Sequence, residues 1–98
     1  MSDLIKKLSE EIQSVDWGAL VPHFERDAVV EVDGSLRIVD VGVALANDDS
    51  AIVEEWLKSG LLMKPSKEQS SDWSEEKVMF QFVIVQPYVL VQKIKSTN

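Results

Sequence analysis

The chain contains no cysteine. That excludes disulfides, thiolate chemistry and cysteine-ligated zinc, and it leaves packing to hold the fold together. Histidine occurs once, at His23, with no metal-ligand spacing around it. Gly18, Gly34, Gly42 and Gly60 are scattered and build no phosphate-cradling loop. Ser9, Ser14, Ser50 and Ser66 lack the context of a nucleophile elbow. No apolar run reaches the ~18–20 residues that a membrane helix requires. Positive charge is also short: 10 Lys and Arg stand against 17 Asp and Glu, a net charge of −7. The deficit lies in residues 16–56, where only Arg26 and Arg37 oppose the acids. Nucleic-acid binding calls for a basic footprint, so that class is set aside. The acidic middle serves solubility, or forms a face for a basic partner or a divalent cation.

What the chain does hold is enough for one modest core. Ninety-eight residues, 45% of them hydrophobic, make a single domain over 1–98, with 95–98 expected to fray. Met1-Ser2-Asp3 is followed by alternating apolar and charged residues, not an apolar leader, so a soluble cytoplasmic protein with no membrane partner is expected. The densest apolar stretch, 78–91, is interrupted only by Gln81, Gln86 and Pro87. Val78, Phe80, Phe82 and Ile84 point to one side of a strand, and Met79, Val83 and Val85 to the other. Both faces are apolar, which predicts an inner strand or one covered on both sides. Pro87 predicts a bend, a bulge or an edge.

Around this spine the periodicity predicts an amphipathic helix over 2–15, with Leu4, Ile5, Leu8, Ile12 and Val15 on its stripe. Asp16 is a plausible cap for a short turn at 17–20, and Pro22 opens a second short helix at 22–26. Residues 28–32 read as a strand, Asp33-Gly34 as a turn, and 36–39 as a return strand. Residues 40–47 fit two periods: Val41, Val43 and Leu45 alternate as a strand would, while Val41, Ala44 and Leu45 share a helical face, and helix is the reading preferred. Asn47 to Ser50 caps a clear helix at 50–59, whose stripe is Ile52, Val53, Trp56 and Leu57 and whose C′ residue is Gly60. Residues 61–64 are extended. Ser66 and Gln69 form a capping box for a helix at 67–74.

Several segments together resemble a bacterial family grouped as domain of unknown function 2288. They are Trp17, Leu20 and 22–26; the Asp40 to Asp49 stretch; the Val53 to Gly60 helix; and Gln86 to Gln92. The resemblance spans nearly the whole chain through the order and spacing of these segments. It implies a free-standing bacterial cytoplasmic protein and brings no activity, cofactor or catalytic residue with it.

Each candidate site has an ordinary structural reading beside the functional one. His23 with Glu25, Asp27 or Asp40 nearby would make a general base or a metal site; otherwise it is a surface histidine. Asp48 and Asp49 would hold a hard cation, or else cap the next helix. Trp17, Trp56 and Trp73 would line a groove, or else anchor helices on a sheet. Trp56 is expected in the core and Trp73 is the expected exposed aromatic. Gln86 and Tyr88 flank the proline, where they would rim a pocket or a dimer seam.

The fold expected is α+β: a small, mainly antiparallel sheet of 28–32, 78–86 and 88–94, edged by 36–39 or 61–64, with helices 2–15 and 50–59 on one face. A winged-helix fold is the alternative, disfavoured because Gln86-Pro87 suits a two-residue hairpin turn poorly. The leading function is a non-catalytic interaction module that self-associates, as a homodimer, through an exposed strand edge or apolar patch. The other is a small enzyme or a metabolite- or metal-binding protein using His23 and a carboxylate. No motif implies a cofactor.

Overall fold

The apolar C-terminal stretch folds as two strands, and the sheet is built around them. The computed structural model describes residues 2–94, so the predicted fraying of 95–98 lies outside the described residues. β4 (Met79–Val85) and β5 (Tyr88–Lys93) pair antiparallel, with Val83 opposite Leu90 and Val85 opposite Tyr88. Gln86-Pro87 is therefore a two-residue hairpin turn. Its peptide bond is cis, the geometry that puts proline at the third turn position without any residue at positive φ. The expected difficulty with a hairpin here does not arise.

The remaining strands flank this pair. β1 (Gln13–Asp16) adds antiparallel to β4, β2 (Val29–Val32) adds parallel to β5, and β3 (Leu62–Met63) adds antiparallel to β2. The order is β1-β4-β5-β2-β3. The sheet is thus mixed and not mainly antiparallel. The expected edge at 61–64 forms as β3. The expected strand at 36–39 does not, because Ile38 and Val39 open a helix, α3 (Ile38–Ala46).

Helices cover both faces, not one. α1 (Ser2–Glu11) and α3 pack on the first face, where Leu8, Ile38 and Val41 meet Val83, Val85 and Leu90. α2 (Trp17–Glu25) and α5 (Lys67–Glu76) pack on the second, where Trp17, Leu20 and Trp73 meet Phe80, Val89 and Val91. Two apolar faces on β4 demand two covers: leaving either wet would forfeit ~25 cal/mol for each Å² of apolar surface. α4 (Ser50–Lys58) packs against α3 and β3 instead of lying on the sheet, and none of its residues is buried.

Local signals account for the element ends. The Asp16 side chain caps α2 by accepting from the Ala19 amide. Pro22 lies inside α2, and the carbonyl its missing amide leaves open belongs to exposed Gly18. The predicted break at 21–22 is therefore absent. α2 closes when Asp27, at φ +60, turns the chain, with Ala28 and Asp27 amides donating to the His23 and Phe24 carbonyls. α4 closes the same way at Gly60, φ +77, with Leu61 donating to Trp56 and Gly60 to Leu57. Ser66 and Gln69 make the predicted capping box.

Candidate functional site

The corner between α3 and α4 is tight. Asn47 ends α3, and Asp48 adopts φ +56, a left-handed conformation that Asp tolerates better than most residues. The Asp49 amide donates to the Ala44 carbonyl at 2.9 Å, and the Ser50 amide to Asp48 at 2.8 Å. Asp49 is the N-cap of α4, yet its side chain makes no capping hydrogen bond. Both carboxylates instead border a cleft of about 320 Å³ whose other wall is the hairpin turn, Gln86, Pro87 and Tyr88.

Leu45, Val53 and Tyr88 also border a second hollow of about 190 Å³, floored by Val30 and Leu62 and closed by Leu57, Met63 and Lys64. The two hollows share Leu45, Val53 and Tyr88 and adjoin each other between α4 and the hairpin, and together they are called the trough. Its acidic end is the α3–α4 corner, and its apolar stretch runs toward β3. Leu57 is 52% exposed, Met63 41% and Tyr88 39%; Ile5, Met79, Ile84 and Ile94 are as exposed elsewhere, but these three line one hollow together.

Four of the residues singled out in the sequence, Asp48, Asp49, Gln86 and Tyr88, are thus brought together. The others are not. Trp73 is 5% exposed and stacks edge-on against Trp17 and Phe80 at centroid distances of 4.9 and 5.0 Å, so it is core and not the exposed aromatic. The Trp17 indole donates to Ser70 Oγ at 2.8 Å, and the Lys93 ammonium lies 5.1 Å from the Trp73 ring. Trp56, expected in the core, is only half-buried because α4 stands off the sheet.

His23 and Asp40 occupy α2 and α3, which lie on opposite faces of the sheet. The expectation that they meet is not met. His23 Nδ1 accepts from Arg26 Nη2 at 2.6 Å, and Asp27 is paired with Lys64 at 2.9 Å. Among the described residues no three His, Asp or Glu side chains converge to hold a metal.

Glu31 was not singled out in the sequence. It sits on β2 between Met63 and Val91, half-buried, and burial pushes its carboxyl above the ordinary glutamate range. Lys93 pulls the other way, and Asp33 adds to the rise. Its partly covered position follows from the sheet order, which no local pattern announced.

The fold is α+β, with a mixed sheet between two helical layers and a trough at one corner. Among the described residues no helix is long and apolar enough to cross a membrane. The chain belongs to the family described as "Protein of unknown function (DUF2288)", whose model matches residues 3–93, in line with the resemblance read from its segments. No curated protein matches. Among solved structures, the chain is similar to one titled "NMR solution structure of PA1075 from Pseudomonas Aeruginosa". The two are 35% identical with a TM-score of 0.82, over 100% of this chain and 91% of that one.

Proposed function

We propose that this protein is a non-catalytic interaction module, and that the trough between α4 and the β4–β5 hairpin is where it receives a segment of a partner protein. The observation that carries this reading is the exposure of Leu57, Met63 and Tyr88 around one continuous hollow. Apolar side chains scattered singly over a surface need no explanation, whereas a contiguous set beside a groove does. Helix α4 supports the reading further. It forms one wall: Val53 and Trp56 reach the core but stay only partly buried, and Leu57 on the same stripe is left exposed.

Peptide-display selection against the immobilised protein tests this. Enriched peptides should lose binding to a Leu57→Asp variant and keep it with Ile5→Asp. Ile5 is 44% exposed on α1, away from the trough, and serves as the matched control. Absence of enrichment, or binders indifferent to Leu57→Asp, would remove the reading. Circular dichroism melts of both variants establish that each is folded.

A further inference from the structure

The trough is apolar along most of its length and acidic at one end. Among the described residues no cation is paired with Asp48 or Asp49. Capping does not use the Asp49 carboxylate either. An occupant that matches this lining needs an apolar stripe and a cationic end.

We infer, resting on the docking reading above, that the occupant is an amphipathic helix of another protein that carries Lys or Arg at the end lying against Asp48 and Asp49. A second copy of this chain fits less well. In a two-fold pairing the patch meets itself. A two-fold pairing across the trough sets the acidic end of one copy against the other end of its partner, where the lining's one cation, Lys64, is already held by Asp27 at 2.9 Å, so Asp48 and Asp49 gain no free cation. The net charge of −7 adds to that repulsion.

Strand addition is also less suited. The adjoining edge, β3, is two residues long and offers few ladder hydrogen bonds. A side-chain groove walled by a helix instead matches the helix-in-groove mode, in which residues spaced three and four apart supply the anchors.

Two synthetic helices of about 15 residues, long enough to hold helical structure, would carry the same leucine stripe and end in Lys-Lys or in Gln-Gln. Each pair is placed at either terminus in turn. Calorimetric titration should show the better Lys-ended probe binding wild type, and D48N/D49N weakening it about tenfold, as loss of one charge-assisted contact would. The Gln-ended probe should be indifferent to D48N/D49N. E75Q/E76Q, an equal charge change on α5 across the sheet, should leave both probes unaffected.

Equal losses in the two double variants would overturn the charge pairing; the docking reading would still stand if Leu57→Asp abolished binding. No binding of either probe would overturn the inference and count against that reading too. A dimer in light scattering that Leu57→Asp dissolves would assign the face to a second copy and overturn the inference.

Discussion

Glu31 shows how much one position on a sheet can decide. A carboxylate between Met63 and Val91 has lost part of its water, and the Lys93 ammonium only partly makes up for it. Its folded-state pKa is raised, so the folded state favours the protonated form. The charged form therefore costs stability above the folded pKa, and that cost is relieved as pH falls through the folded value toward the unfolded one. Glu31→Gln should stabilise the protein at pH 7 by a few tenths of a kcal/mol, the figure being kept small because water screens a half-exposed group. The gain should vanish below about pH 4, where both states are protonated. Urea melts of the two proteins across pH 4–8 measure it, and a constant difference over that range would contradict the assignment. Such a residue is not legible in sequence. Glu31 alternates among valines as any solvent-facing strand residue would, and only the pairing with β3 and β5 covers it.

Elements were legible where the pattern had one solution. The stripe of β4, the capping box before α5 and the glycine after α4 each specify geometry through sterics or hydrogen bonds within a few residues. They failed where two periods fit. Val15 continues the helical stripe of Leu4, Leu8 and Ile12, yet pairs opposite Phe80 on β1. Ile38 and Val39 carry strand propensity, yet bury against the sheet from a helix. In both cases tertiary packing outweighed a local preference worth fractions of a kcal/mol per residue. The turn that makes α3 possible is itself fastened by a distant residue. Gln92 on β5 is buried, and its Nε2 donates to the carbonyls of Asp33 and Leu36 at 2.9 and 2.7 Å while Gln81 Nε2 donates to its Oε1 at 2.6 Å. Gln92→Leu keeps the approximate bulk and removes all three bonds. It should cost about 1–2 kcal/mol, or ~5–10 °C in Tm for a domain of this size, measured by calorimetry. A shift under 2 °C would mean that water replaces the amide at no cost.

The molecule as a whole divides into a well-anchored sheet with its two helical layers and a lightly held corner. α1, α2, α3 and α5 contribute residues to buried clusters, whereas α4 adds only partly buried side chains. Local opening should follow this division. Amide hydrogen exchange should be slowest in β4 and β5 and faster in α4 than in α3, with helix-wide protection of α4 rising when a trough-binding peptide is added. Uniform protection of α3 and α4 in the free protein would contradict this division. The acidic end of the trough was legible as separate signals, the aspartate pair and the Gln-Pro-Tyr turn. Their adjacency was not, since it depends on how α3 crosses the sheet to reach the hairpin tip.

The strand order has a consequence for how the protein is made. β5 lies between β2 and β4, yet a ribosome synthesises it after both. Until Tyr88–Lys93 emerge, the nascent chain can form only the β1–β4 and β2–β3 ribbons, each marginal alone in water. Val29, Phe82 and Val83 then lack their β5 partners Val89, Val91 and Leu90, a state open to chaperone capture. Folding is therefore deferred until the central strand leaves the exit tunnel, and both halves of the sheet close together.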